Sequence, residues 1–473
     1  MKVGLIRTSL PSYFPAKNGV WAAAEAALEM ITATEGATLF VVPNIPIDAR
    51  DTKNALDLCR AQNVDFILVL HGGFTMGDVA RTISSSEFRC GFWSVPEPTR
   101  MNDIQLNNFV SLNMSMSLAR QVRDLRKNPV QWYHGSPDNL NLQSRMRTTF
   151  RAINAVKALQ GARIGTIGGL AMTFYNMEVS TSTLQKRLGV EVVSHDIHEL
   201  TSRMEAIDRA RAEKEVAAIS SDVVIDGVSS EQMLLTACAA LALGDIAMEG
   251  GYAGLAVSDW PALQKKPGMH PGAAFSWLEE RYNLPVASEG DILGTISQLV
   301  AASITDRVGY ILDMTEPDLD AGQLLMWHGG GGPLYLANSQ GARWINHPMI
   351  GRDTEAGAVY GAISDLIFED GPVTVFRVSR NAGAFFSMSA RVAGREPSGF
   401  SGCRGWLENF EIDGSMASLE DVVATVMAHG LEHHFILVPG QHTGVLTEFA
   451  SWTGMDTLGA IPMRDHLDIR DFT

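Results

Sequence analysis

The sequence predicts an α/β protein in which two Rossmann-like parallel-sheet domains precede a β-rich, barrel-like C-terminal domain. Three observations lead there. In the first third, continuous apolar runs such as LFVV, FILVL and GFWSV alternate with amphipathic stretches, as in parallel strands covered by helices on both faces. A second strand–helix alternation starts after Gly161 with RIGTIGGLA. Beyond about residue 305 the apolar runs shorten and are broken by Gly, Asp and Asn turns, which suits antiparallel pairing. The expected domains are 1–158, 159–304 and 305–473, because 473 residues exceed one ordinary core.

In chain order, VGLIRTS, TLFVVPN, DFILVLHGG and CGFWSVPE read as strands, with WAAAEAALEMITAT and TKNALDLCRAQ as helices between the first three. Parallel sheets gather ligands at their carboxyl ends, where Arg7, His71 and Glu97 lie, although loop polarity alone also places such residues there. Ser136 to Gln160 reads as a loop and a connecting helix. STSTLQKRLG, VEVVSHDIHEL and RMEAIDRARAEKEVAAIS come next as helix, strand and charged helix. The intervening GTIGG lacks the spacing of a dinucleotide-binding loop. Leu234 to Met248 is Ala-rich and interrupted by Asp245, a buried helix rather than a membrane span. GYAGLAVSDWP is a further strand, and QLLMWH, PLYLAN, VTVFRVSR, AFFSMSARV and HFILVPG make up the β-rich region.

A net charge of −16 leaves no surplus of Lys and Arg to neutralise phosphates, so nucleic acid is excluded as a partner. The apolar stretch in MKVGLIRTSL is too short for a secretory signal. Cys59, Cys90, Cys238 and Cys403 are widely spaced, consistent with free thiols in a reducing compartment. A cytoplasmic protein with no membrane partner is expected.

Ser288 to Pro333 carries the chemistry. Glu289 in SEGDILG, Asp313 in GYILDM and His328 in LLMWHGGGGP each stand near the end of an apolar run beside turn residues. Far downstream, His433 and His434 precede FILV. Carboxylates and imidazoles delivered by separate strand ends outline a divalent-metal site, and oxygen and nitrogen donors without thiolate suit Mn(II), Co(II), Fe(II) or Zn(II). Singly, each residue also reads as a cap or a half-buried polar group. The glycine run lacks the Lys-Ser/Thr ending of a phosphate loop.

The run from Trp260 to Val300, WPALQKKPGMHPGAAFSWLEERYNLPVASEGDILGTISQLV, resembles the L-fucose/L-arabinose isomerase family: Trp-Pro, a helix, a strand entry, then a metal-binding Glu followed by x-Asp. The resemblance extends over most of the chain. It implies Glu289 and Asp313 as the metal carboxylates, His328 ahead of HGGGGP as a further ligand, and His434 as the ligand of the histidine pair. IGGLAMTFYNM places Met172 near the substrate, and WYHGSPDN around His134 resembles a first-domain loop. The pattern's cysteines are replaced by Asp259 and Ser288. The resemblance also implies a homo-oligomer, a trimer or hexamer, with an inter-subunit active site to which Arg7, Trp93 and His134 contribute. His433 joins the substrate-binding set.

The activity so implied is aldose–ketose isomerisation through a metal-stabilised cis-enediol, with Mn(2+) as the favoured ion and Glu289 and Asp313 exchanging the proton. The substrate is a free sugar of the L-fucose/L-arabinose type or a sulfonated hexose, sulfoquinovose. Arg377, Arg380, Arg391, Arg395 and Arg404 offer guanidinium partners to such an anion, while their plainer reading is surface or interface. A sugar-binding or regulatory protein and a metal-dependent epimerase or lyase are the alternatives.

Overall fold

Apolar runs without polar alternation become the parallel strands of a first compact unit, Met1–Lys157 joined by Glu448–Gly454. A computed structural model describes residues 1–13, 19–348 and 361–472. The first unit's strands are β1 (Lys2–Thr8), β2 (Thr38–Val41), β3 (Phe66–His71), β4 (Arg89–Ser94) and β5 (Val130–His134), in the order β2-β1-β3-β4-β5. Every residue of the central strand β3 is buried, as a strand with covered faces requires. The parallel register lines Thr8, His71, Ser94 and His134 across the carboxyl edge. The late segment returns to this unit through Glu448, which accepts a hydrogen bond from Gln131 Nε2 at 3.2 Å.

The second unit, Ala158–Thr447 with Met455–Thr473, contains two sheets. Its strands begin with β6 (Arg163–Ile167), β7 (Glu191–His195), β8 (Val224–Ile225), β9 (Gly254–Val257) and β10 (Val286–Ala287). They continue with β11 (Tyr310–Asp318), β12 (Gln323–His328), β13 (Arg343–Asn346), β14 (Ala362–Ile367) and β15 (Gly371–Ser379). The last are β16 (Ala384–Ala393), β17 (Cys403–Ile412), β18 (Ser415–Met416), β19 (His434–Pro439) and β20 (Asp456–Thr457). The smaller sheet is parallel, ordered β10-β9-β6-β7.

In the larger sheet β16, β15, β19, β11, β12 and β17 pair in turn, and β17 pairs back onto β16. Every one of these pairings is antiparallel, so the six strands close a ring. Closure removes the exposed edges of those strands. The strand period of two fills the ring with Tyr310 and Leu312, Leu324 and Met326, and Phe435 and Leu437. That alternation turns Asp313 and His434 away from this core.

Two helices brace the sheets of this unit. Ser230–Gly250 opens on a Ser229–Gln232 capping box and closes at Gly251 in the left-handed region. By length and composition it qualifies as a membrane span, yet half of its apolar window is buried and it packs on three neighbouring helices. Ile292–Thr305 packs against β9, β15 and β19, with Ser297 Oγ accepting from the Val378 amide at 3.0 Å. Several sequence expectations change. The expected charged helix is broken at Ile207 and Asp208 into Ile197–Ala206 and Arg209–Asp222, and β5, β13, β14 and β17 are strands that the sequence reading did not name. PLYLAN forms a 3₁₀ turn at Leu334–Leu336 instead of a strand, because a short apolar run after proline does not by itself select extended backbone.

Candidate metal centre

Glu289 stands at the carboxyl end of β10 in a sharp turn, with φ at +62°. This left-handed conformation costs a glutamate roughly 1–2 kcal/mol. The surroundings hold it there: the Glu289 amide donates to Asp259 Oδ1 at 2.7 Å, and its carbonyl accepts from Ala171 N at 3.0 Å. Gly290 comes next at φ +74°, where an added Cβ would lie 2.1 Å from the Gly169 carbonyl oxygen. The backbone is therefore strained at the point where the carboxylate is presented, a pattern found at functional sites.

Asp313 and His434 face each other in the β11–β19 ladder, and Asp313 pairs on its other side with Trp327, the neighbour of His328. Three adjacent strands thus bring Asp313, His328 and His434 together. Their donor atoms lie within 4.8 Å of one another, as do those of Glu289, His433 and His434. His434 Nε2 lies 3.4 Å from Glu289 Oε2 and 3.9 Å from Asp313 Oδ1. His433 Nε2 lies 3.1 Å from the same Glu289 oxygen.

The donor set fits a divalent ion. His434 Nε2 and Asp313 Oδ1 are buried without a hydrogen-bond partner, a state that costs about 1–3 kcal/mol per group unless something satisfies it. Oxygen and nitrogen ligands a few ångströms apart, with no thiolate among them, suit a borderline first-row cation. Burial pushes the Asp313 carboxyl up to about 6, partly opposed by the nearby histidines. Burial and the adjacent imidazoles hold His328 well below its ordinary value, so it is a neutral potential ligand.

Behind the cluster lies a buried ion network that the sequence did not single out. Asp291 caps the helix Ile292–Thr305 and is ion-paired with Arg377 at 2.8 Å, and Arg377 also meets Glu432 at 3.1 Å. Burial alone would raise Asp291, but Arg377 and His434 outweigh it and hold the carboxyl well below the usual range. For His434, burial lowers basicity and the surrounding carboxylates more than restore it. A fully buried Asp259 and the pair His270 and His347, with ring centroids 4.6 Å apart, complete the polar surroundings. The available sequence signal was the Asp two residues after Glu289, at a helix start.

The remaining expected residues fall in two places. Met172 is exposed, one residue after Ala171, whose amide binds Glu289. Near it, Phe174 lies 5.7 Å from Trp260 and 5.2 Å from His433, ring centre to ring centre. Arg7, Trp93 and His134 belong to the first unit. There Arg7 pairs with Glu25 at 2.9 Å, Trp93 is buried with its indole N–H on the Gly135 carbonyl, and His134 Nδ1 lies 2.8 Å from Ser94 Oγ.

Of the five arginines weighed for an anionic sugar, Arg377 is wholly buried in the ion network. Arg380 donates to the His429 carbonyl, Arg395 pairs with Asp318 and Arg404 pairs with Asp365. Arg391 lies exposed on β16. Four of the five are thus engaged by protein groups; Arg380, Arg395 and Arg404 fit the plainer surface reading, whereas Arg377 fits neither reading, being buried in the core of the ion network.

No family model matches the chain. A sulfoquinovose isomerase of Alkalicoccus urumqiensis is 26% identical over 359 residues, covering 75% of this chain and 77% of that protein. Sulfoquinovose isomerases of Priestia aryabhattai and Priestia megaterium are each 23% identical over 425 residues, covering 89% of this chain and 91% of theirs. Among solved structures, an ABC transporter solute-binding protein of Burkholderia multivorans aligns at 15% identity over 65% of this chain and 94% of its own, with a TM-score of 0.16. With relatives of this kind along most of its length, the chain is a sugar isomerase, and the L-fucose/L-arabinose isomerase family fits the name that those relatives carry.

Proposed function

We propose that this protein interconverts sulfoquinovose and the corresponding sulfonated ketose, using a divalent ion, with Mn(2+) favoured, held by Glu289, Asp313 and His434 with His328 as a fourth ligand. The observation that carries the reading is the convergence of two carboxylates from different strands on the unpartnered Nε2 of His434. The substrate comes from the relatives' name and does not lean on the barrel arginines.

Isomerisation moves a proton between C1 and C2 and redistributes the protons on their oxygens. When bound, a divalent ion would supply charge stabilisation for the developing enediolate. Glu289 and Asp313 supply the base and the acid. An ion held by both carboxylates would keep them ionised in the resting state, ready to accept the proton. The exposed Trp260 and the half-buried Phe174 offer an apolar surface to the sugar's C–H face. Met172 and His433 belong to the same rim.

The resemblance further supports a homo-oligomer, trimer or hexamer, in which Arg7 and His134 of a neighbouring copy complete the pocket, while Trp93, buried within its own unit, supports them by packing alone. The acidic charge and the separate cysteines favour a cytoplasmic protein with neither nucleic acid nor membrane as a partner. Incubation with sulfoquinovose, 6-deoxyglucose, L-fucose and L-arabinose across a Mn(II), Co(II), Zn(II) and Mg(II) panel tests the reading, with ketose formation followed by NMR. Turnover of the sulfonate well above 6-deoxyglucose is expected. Binding without turnover, or activity confined to L-fucose or L-arabinose, overturns it.

A further inference from the structure

His433 and His434 are sequence neighbours with ring centroids 4.3 Å apart, but the groups at their two Nδ1 atoms are of opposite kinds. At His434 the group is Asp291. Its Oδ1 accepts from the Gly294 amide at 2.8 Å and from Arg377 Nη2 at 3.2 Å. Its Oδ2 accepts from Arg377 Nη1 at 2.8 Å and lies 3.1 Å from His434 Nδ1. A carboxylate so surrounded by donors accepts only, so the hydrogen sits on His434 Nδ1, and in the neutral ring that a metal requires the lone pair is left on Nε2. Nε2 is fully buried, makes no hydrogen bond, and lies 3.4 Å from Glu289 Oε2 and 3.9 Å from Asp313 Oδ1.

At His433 the group is the amide of Asn176, whose Nδ2 lies 3.1 Å from Nδ1. An amide NH₂ donates only, so Nδ1 accepts and the hydrogen sits on Nε2, directed at Glu289 Oε2 at 3.1 Å.

We infer that Asp291 and Asn176 are positioning residues that impose opposite tautomers on the adjacent imidazoles, making His434 a metal ligand and His433 a hydrogen-bond donor to Glu289. Arg377 belongs to the device, since it orients Asp291 and also donates to the His434 carbonyl at 2.8 Å. The pair therefore divides its work: one ring binds the ion, and the other fixes the carboxylate that moves the proton. The inference rests on the metal reading proposed for this site.

The test is a titration of chelator-stripped full-length protein with Mn(II), following free Mn(II) by electron paramagnetic resonance, for the wild type, Asp291→Asn and Asn176→Ala. Asp291→Asn, whose amide can donate to Nδ1, is expected to weaken Mn(II) binding about 10–100-fold. Asn176→Ala is expected to keep the wild-type affinity while lowering kcat more than it raises KM. Wild-type affinity in Asp291→Asn, even with a lowered melting temperature, overturns the inference and leaves Asp291 as a helix cap alone. A wild type that takes up no Mn(II) overturns the metal reading itself, which separates the two failures. Should Asp291→Asn not fold, ¹⁵N-histidine NMR of the zinc-loaded wild type decides. Hydrogens on His434 Nδ1 and His433 Nε2 support the inference, and any other pattern overturns it.

Discussion

Asp313 Oδ1 and His434 Nε2 face each other at 3.9 Å across a β-ladder, too far for a hydrogen bond and with no other hydrogen-bond partner for either atom. Burying two such atoms together opposes stability unless a third group satisfies both. The barrel register thus prepares a position that a cation fills with little rearrangement, since both residues sit on hydrogen-bonded strands and not on loops.

The double variant His434→Ala, Asp313→Ala is expected to lose the bound divalent ion. Elemental analysis after chelator dialysis and Mn(II) re-addition measures it. One ion per subunit in the variant would show that the ligands lie elsewhere.

Glu289→Gln keeps the size of the side chain and removes its basicity. Turnover is expected to fall on the order of 10²–10⁴-fold while the melting temperature stays near that of the wild type. Solvent deuterium entering C1 or C2 of the sugar is the signature of the step being lost. Near-normal turnover would assign the proton transfer to another group.

Gly290→Ala is expected to destabilise the fold and the site together. The new Cβ would meet the Gly169 carbonyl at 2.1 Å in a left-handed backbone, so either the turn or the loop after β6 shifts. A loss of at least about 1–3 kcal/mol is expected from strain alone. Denaturant melts and Mn(II) affinity measured on one sample check it, and an unchanged pair of values would mean that the loop yields freely.

Glu279 is fully buried, with Gln298 donating to it at 2.6 Å, and burial holds its carboxyl protonated well above the ordinary range. The unfolded chain ionises this group near pH 4.3, so above that pH folding takes up a proton and stability falls by up to about 1.4 kcal/mol per pH unit. Glu279→Gln removes this dependence. The variant is expected to gain on the wild type as pH rises from about 4 toward neutrality, and to match it in slope below. Melting curves over that range decide; parallel profiles would mean that Glu279 is not held neutral.

Local pattern was enough for many of the strands, though not for Val130–His134, Ala362–Ile367 or the ring strand Cys403–Ile412, and it marked the ligand candidates that the resemblance then assigned. FILVLH could only be a covered strand, and the alternation along LLMWH and HFILV set which residues fill the ring and which turn outward. Glu289, His328 and His434 were visible because a strand end is a local property, whereas Asp313 proved to lie within β11, paired on both sides. The PLYLAN run was ambiguous because its few apolar residues fit a 3₁₀ turn as well as a strand.

Long-range pairing was decided only by the tertiary structure. Asp291 meets His434 and Arg377 across 143 and 86 positions of sequence, and a single chain carries no mark of such partners. The return of Glu448–Gly454 to the first unit, the burial of Arg377 and the different surroundings of His433 and His434 all depend on how ladders register in space. Hydrophobic period and turn chemistry act over a few residues, whereas ion pairs, tautomers and metal sites are set by groups that only the completed fold brings within hydrogen-bond reach.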